Sequence, residues 1–460
     1  MLLNRQLTSA EVDFVFFHLA HHLEGFDQLR AFLSYGCPDS ASTKVFFCAS
    51  REAIDLSGSV VVDKVPVLFP LSADLQLYAL SPDGSLKFHH DLLKSAFYLL
   101  SGYQEWSQRE LADQWQRFPY EQSIQYRLGI IHKPLVNYYF QWIIEGLSEF
   151  AAFHHIPVKN RFLFGRMGLH LSHDIDLLRY HSFRKVLYRI AQVVGLRRAH
   201  IPRKRLFISV ADSFLKAFQF RLVQNPYWSF SKILNTERYY GFRSSWYFLP
   251  RDGGPFDADY SWHQNDVCSI IAKLKALQNE VGLHGSIRGA TDFQLLQQSL
   301  DELSAVLGEK PQGIRMHFLA LEYPDAFRNF DKLGIAYDCS LGFSRMEGFR
   351  FGYCFPFRPF DHHHGRIADT WEIPLLAMDT TLLVHRKLDY DAIYSQLETL
   401  LEEVSRFGGI FSILLHNTTF DEYQNPGFLK FYEALHHYFS QYSPISLTGS
   451  EIINRMNSLR

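Results

Sequence analysis

From about residue 160 to residue 460, short apolar runs alternate with helix-like stretches. Strands are predicted at 168–174, 242–248, 280–284, 312–317, 335–338, 371–376 and 409–416. Helical patterns lie between most of them, as over Asp292 to Leu307. This alternation predicts an α/β architecture with a largely parallel sheet. About 300 residues with roughly seven repeats suit a barrel better than an open sheet, and a barrel of that kind carries its active site at the strand C-termini. The whole chain, 460 residues long, exceeds one ordinary core, so two or three domains are expected.

Four of the apolar runs end in side chains that bind metals or move protons. They are Ser172-His173-Asp174-Ile175-Asp176, Gly282-Leu283-His284-Gly285, Gly313-Ile314-Arg315-Met316-His317 and Ile413-Leu414-Leu415-His416-Asn417. Residues i and i+2 of a strand point the same way, so Asp174 and Asp176 share a face. Two carboxylates on one side, with imidazoles at other strand ends, form a workable set for metal-assisted hydrolysis. The chain has no Gly-x-Ser-x-Gly elbow and no phosphate loop.

Residues 1–158 read as a separate, smaller α+β domain. Val45-Phe46-Phe47-Cys48, Val60-Val61-Val62 and Val65-Pro66-Val67-Leu68-Phe69 suggest strands, and Ser81-Pro82-Asp83-Gly84 a turn. Helices are predicted over Asp91 to Tyr103 and over 134–153. No acid-base or ligand cluster stands out, and His89-His90 reads as a surface pair.

The remainder, 159–460, reads as the barrel, interrupted by an insertion at about 178–225. From Arg179 to Arg221 there are eleven Lys/Arg and one acid, Asp212, although the chain's net charge is only −2. Val186, Leu187, Ile190, Val193, Val194 and Leu196 form an apolar stripe beside Arg184, Lys185, Arg189, Arg197 and Arg198, and Pro202 is a break. A basic amphipathic helix of this sort can lie on an anionic membrane surface; the alternative is a solvated insertion packed on the barrel. Nucleic acid is not expected, because no helix-turn-helix or zinc-finger spacing accompanies the charge.

Composition is that of a globular chain, 47% hydrophobic and 20% charged, and the 16% aromatic content suits aromatic-lined clefts. Five scattered cysteines without a Cys-x-x-Cys pair suggest reduced thiols. The first residues lack the apolar core of a secretion signal and no 18-residue uncharged apolar run occurs, so a cytoplasmic location is expected.

Taken in order, these motifs resemble those of the polysaccharide deacetylase family over most of 159–460. Ser172-His173-Asp174-Ile175-Asp176 is similar to that family's first motif in a His-Asp-x-Asp variant. His284-Gly285-Ser286-Ile287-Arg288 stands where the family has His-x-x-x-His, with Arg288 in place of the second histidine. Arg315 matches the third motif's arginine. Gly334-Ile335-Ala336-Tyr337-Asp338-Cys339-Ser340, Trp371-Glu372-Ile373-Pro374-Leu375 and Ile413-Leu414-Leu415-His416 resemble further tracts. The stretch Phe88 to Glu105 resembles part of an uncharacterised bacterial domain that precedes such barrels.

The resemblance implies a distorted (β/α) barrel and a metal-dependent hydrolase that removes N-acetyl or similar acyl groups from a carbohydrate, such as a cell-surface glycan precursor. Its alternatives are an inactive glycan-binding module and a hydrolase of non-sugar amides. It implies a divalent ion, zinc first, on Asp176 and His284. His317 is expected to fill the vacancy left at Arg288, or else to contact substrate. Asp174 is the implied general base, held ionised by a hydrogen bond from Arg315, and His416 the general acid; the two aspartate roles are interchangeable. Arg288 is expected to orient an acid or bind an anionic substrate group. Asp338 is expected to brace Arg315 or a substrate hydroxyl, and Asp252 to touch substrate from a loop over the cleft. Asp361-His362-His363-His364-Gly365 is expected to be a solvated loop, with a substrate-binding rim as the alternative.

Overall fold

A computed structural model describes residues 3–36, 43–54, 60–198, 202–217 and 225–459. In the first segment, a four-stranded sheet runs in the order Leu33–Tyr35, Val45–Phe47, Leu86–Phe88, Tyr78–Leu80. Three helices pack with it: α1 (Ser9–Ala20), α2 (Leu92–Leu100) and α3 (Leu135–Phe153). Local chemistry sets their starts. Thr8 and Glu11 form a reciprocal capping box on α1, and the Asp91 carboxylate accepts from the Lys94 amide to cap α2. All nine residues of α2 are buried, so this helix is held from every side.

The second segment contributes the strands β1 (Gly168–Ile175), β2 (Ser244–Phe248), β3 (Glu280–Gly285), β4 (Gly313–Met316), β5 (Tyr337–Asp338), β6 (Trp371–Glu372), β7 (Ala377–Met378), β8 (Ile410–Leu414) and β9 (Ile445–Ser446). They form one parallel sheet in the order β6-β5-β4-β3-β2-β1-β8-β7, and β9 pairs with Gly168 and Leu169 at the start of β1. Helices such as Asn265–Ala276, Phe293–Leu307 and Tyr390–Phe407 connect successive strands, as parallel pairing requires. The result is an α/β half-barrel. Among the described residues its edge strands, β6 and β7, do not pair with each other.

β1 sits at the centre of this sheet and is buried along its whole length. Alternation sends His170, Ser172 and Asp174 to one face and Leu169, Leu171, His173 and Ile175 to the other. The first face is polar. His170 lies between the Ser412 and Ser245 hydroxyls at 3.1 and 3.3 Å, and burial lowers its pKa to about 3. His173, on the other face, meets Glu237 at 2.8 Å.

The two segments share one apolar core. The Phe360 ring is seated edge-on between Phe14 and Phe97, at 5.2 and 5.4 Å. Tyr323 donates to the Ser101 carbonyl at 2.8 Å, and the Cys354 amide donates to Asn137 at 3.0 Å. The strongest single tie is Arg350, which donates from Nε and Nη2 to both oxygens of Glu105 at 2.8 and 2.6 Å. Both side chains are buried. Removing one partner of a buried pair strands the other charge, at a cost of about 3–5 kcal/mol. Glu105→Ala is therefore expected to lower the urea midpoint of the whole chain by that amount of stability; a midpoint unchanged within error would show the tie to be idle.

Two expectations change on inspection. His90 is not on the surface: burial lowers its pKa, its Nε2 lies 2.9 Å from the Asp74 carbonyl, and its Nδ1 accepts from the Leu71 amide. In the 361–365 loop, His363 and His364 are exposed, but His362 stacks on Trp106 at 4.7 Å and contacts the Ser101 carbonyl at 2.8 Å. His362 is thus part of the packing between the segments, and burial lowers its pKa to about 4.

The basic insertion forms two helices, α4 (Phe183–Val193) and α5 (Arg203–Ala217), packed side by side. Pro202 stands immediately before α5, at its tolerated place. The described cysteines, Cys48, Cys268, Cys339 and Cys354, are free thiols, and Cys37 lies outside the described residues.

Candidate active site

At the C-terminal ends of β1, β3, β4 and β8, the side chains of Asp174, Asp176, His284, His317 and His416 meet. His284 Nε2 lies 3.2 Å from Asp176 Oδ1 and 3.5 Å from Asp174 Oδ2. His317 Nε2 lies 3.8 Å from Asp176 Oδ1, and His416 Nε2 lies 3.9 Å from Asp176 Oδ2. One ligand atom each from Asp176, His284 and His317 falls within 4.8 Å of the others. Two of these positions follow from register: β3 and β4 pair His284 with Arg315, which puts His317 just beyond the end of β4 on the same rim.

The donor set suits a divalent cation. His284 Nδ1 faces the Arg315 carbonyl at 2.8 Å and donates to it, so Nε2 turns toward the two carboxylates with its lone pair. Lone pair against carboxylate is repulsive unless positive charge lies between. Asp174 Oδ1, Asp176 Oδ1 and His284 Nε2 are buried and lack hydrogen-bond partners among the described residues. The demand for positive charge shows in the titration too. Burial opposes ionisation of His284, yet Asp174 and Asp176 outweigh it and raise its pKa. Burial also opposes the Asp176 anion, and the surrounding His317, His284 and His416 overcome it and lower its pKa. His317 stays neutral near pH 7: burial lowers it to about 4 despite Asp176. Nitrogen and oxygen donors match zinc and its borderline neighbours.

His416 is differently held. Its Nδ1 lies 2.7 Å from Asp379 Oδ1, and its amide donates to Asp379 Oδ2 at 2.7 Å. The Thr419 hydroxyl donates to the same carboxylate at 2.5 Å. Burial disfavours the imidazolium, but Asp379 and then Asp176 and Asp174 push its pKa up to about 10. Asp379 was not among the residues expected from the sequence. It follows β7, a strand of two residues, and the only signal was an acid closing the run Leu375-Leu376-Ala377-Met378.

Two expected partners take other roles. Arg315 makes no hydrogen bond to Asp174 among the described residues. It is fully buried one pleat deeper, donating from Nη2 to the Ser172 hydroxyl at 3.1 Å and from Nε to Cys339 Sγ at 3.2 Å, with its guanidinium over Tyr247. Asp174 reaches it only through space, as one of the charges that outweigh burial and raise the Arg315 pKa. Asp338 is likewise fully buried and makes no hydrogen bond to Arg315 among the described residues, though the Arg315 charge acts on it through space. Register pairs it with Glu372, and its carboxylate takes the Ser340 amide and hydroxyl at 3.0 and 2.6 Å. Burial raises both acids, Asp338 and Glu372, and the neighbouring Asp338 charge raises Glu372 further.

Asp252 and Arg288 lie together beside the site. The Asp252 carboxylate accepts from the Ser286 hydroxyl, two residues past His284, and its carbonyl accepts from Arg288, which is otherwise exposed. The neighbouring Asp257 is raised to about 6 by burial and by Asp252. This links the 251–257 loop to the loop after β3.

The opposite wall is aromatic and comes partly from the first segment. Phe318 and Leu319 both have left-handed backbone, with φ of 59° and 55°, a conformation that costs a non-glycine residue about 1 kcal/mol or more. The turn lays the Phe318 ring on His317, stacked at 4.3 Å. Trp115 stacks on Phe318 at 5.3 Å, and Phe256 stands edge-on to both. Asp113 holds the Trp115 loop by accepting from the Trp115 amide and from Arg117, and Arg117 in turn donates to the Phe318 carbonyl at 3.0 Å.

Residues 15–152 match a family of unknown function (DUF7033). No curated protein matches the chain. Among solved structures the chain is similar to Puue allantoinase, at 13% identity and a TM-score of 0.41 over 64% of this chain and 91% of that one. It is similar to a probable polysaccharide deacetylase from Pseudomonas aeruginosa PAO1, at 11% identity and a TM-score of 0.41 over the same shares. A third likeness is the Xyl-CE4 domain of a multidomain xylanase from the hindgut metagenome of Trinervitermes trinervoides, at 10% identity and a TM-score of 0.31 over 63% and 91%. These are likenesses of fold. What the site can do follows from its own geometry.

Proposed function

We propose that this protein is a divalent-metal-dependent hydrolase that removes an N-acetyl or similar acyl group from a carbohydrate. The observation that carries the reading is the single cluster of Asp174, Asp176, His284, His317 and His416 with its partnerless buried acceptors. Asp176, His284 and His317 would hold the ion. When bound, a divalent ion there supplies Lewis acidity toward an amide carbonyl and a water. The Asp174 carboxylate, with a buried Oδ1 that has no other partner, takes the proton of the attacking water. His416, kept as imidazolium by Asp379, stands on the other side of Asp176 and gives a proton to the leaving amine. Arg315 supports this from beneath as a fixed charge behind Ser172.

Two assays test the reading together. Purified protein should release acetate from N-acetylated sugars, lose that activity to a chelator and regain it with zinc. A protein that keeps full activity after chelation, or that hydrolyses none of a panel of N-acetylated saccharides when zinc-loaded, would defeat the proposal.

The aromatic wall supports a sugar as substrate. Phe318 and Phe256 expose large parts of their rings, and Trp115 is half-exposed beside them. Flat rings beside a ligand cluster suit the apolar face of a pyranose better than a small linear amide. Trp115→Ala is expected to lower kcat/KM toward an N-acetylated oligosaccharide about tenfold, mostly through KM, since one well-placed aromatic contributes about 1.4 kcal/mol. The same variant should hydrolyse a small acetanilide as the parent does. Equal losses on both substrates would mean that Trp115 supports the fold and not the sugar.

A further inference from the structure

The basic insertion turns much of its apolar surface outward. Its buried side is mixed: beside the apolar Val186 and Leu206 it carries Ser209, 0% exposed with its hydroxyl pairing with Tyr180 at 2.6 Å, and Arg189, buried over the Tyr180 ring at 3.6 Å and donating to the Tyr180 carbonyl. Its outer side is apolar. On α4 and at its C-cap, Phe183 (76% exposed), Leu187 and Val194 recur at helical spacing and face water. On α5, Phe207 (63% exposed), Ile208, Phe214 and Leu215 do the same. A stable surface helix places these residue types the other way round. Just past α4, Leu196 is 81% exposed and the cations Arg197 and Arg198 are exposed beside it, and Arg203 and Lys204, which open α5, are exposed too. No acid lies between Arg179 and Arg221 except Asp212, which is engaged by the Tyr423 hydroxyl.

We infer that this helix pair docks the protein on an anionic lipid bilayer, with the two apolar stripes in the acyl boundary and the cations after α4 and at the start of α5 among the head groups. Large apolar contact area combined with cations at its edge is the pairing that an anionic interface rewards. No helix among the described residues is long and apolar enough to cross a membrane, so the helix pair lies on the surface. The insertion leaves β1 only two residues after Asp176, and Leu178 and Arg179 are tied by their amides to Asp259, which also binds Lys185. Docking would thus hold the catalytic rim close to the lipid, where a lipid-carried glycan presents its sugar. The inference concerns the helix pair and does not depend on what the cluster at Asp176 does.

Vesicle flotation of the full chain tests it. Vesicles of phosphatidylcholine alone and vesicles with about one third phosphatidylglycerol are compared at low and high salt. The expected result is binding to the anionic vesicles at low salt, weakened by high salt, with at least tenfold less on neutral ones. Two multiple variants then separate the contributions. Phe207→Ser with Phe214→Ser removes exposed rings only, and Arg197→Glu, Arg198→Glu, Arg203→Glu and Lys204→Glu together reverse the charge at these cations. Each set is expected to weaken anionic-vesicle binding about 100-fold while leaving circular dichroism and zinc content as in the parent. Equal binding to both vesicle types, no binding to either, or a dimer in sedimentation equilibrium that Phe207→Ser dissociates without any vesicle binding would overturn it; the last would mean that a second copy of the chain covers the stripes.

Discussion

His284→Ala is expected to abolish both the bound ion and acetate release. His284 is the nitrogen nearest to Asp176, at 3.2 Å, and its ring is already oriented by the Arg315 carbonyl. Losing a partner that only orients a ligand costs about 10- to 100-fold in metal affinity, and losing the ligand itself costs more. Elemental analysis of dialysed protein should read close to one zinc per chain for the parent and close to none for the variant. Folding should survive, because the ring lies at a strand end, packed against the His317 ring at 4.9 Å and outside the main apolar core. A variant that keeps stoichiometric zinc would place the ion elsewhere and remove the proposed site.

Asp379→Asn is expected to cut kcat by about 10²–10⁴, the range of a general acid, while KM and zinc content change little. The carboxylate holds His416 through both its ring and its amide. The sign of the pH effect follows. Asp379 raises the imidazole to about 10, and an acid catalyst works below its own pKa. With asparagine the His416 pKa falls, so the alkaline limb of kcat moves to lower pH and the loss is greatest at pH 8–9. A pH profile superimposable on that of the parent would show that His416 does not donate the proton.

Much of this was legible beforehand because it depends on two periodicities. Strand alternation alone puts Asp174 and Asp176 on one side, and the seven expected strands all fall in one parallel sheet. His284 and His317 could be read as neighbours because both end apolar runs that parallel pairing sets side by side. The failures occur where pattern gives way to tertiary detail. β5 and β7 have two residues each, too few to show which way Asp338 or Asp379 points. Arg315 was expected at Asp174, and only the depth of the pleat shows that it reaches Ser172 instead. Trp115 lies about two hundred residues from Phe318 along the chain, so no local pattern joins them.

The ring of Phe360, clasped by Phe14 and Phe97, has a further meaning for how such chains diversify. A leader joined to a catalytic barrel by a loose tether can be exchanged for another by simple gene fusion. Here the leader supplies about a third of a common interior and part of one wall of the cleft, so any replacement would have to match the barrel's rings and rebuild the Trp115 loop in the same event. Shuffling is thereby discouraged, and the two parts are expected to have travelled together.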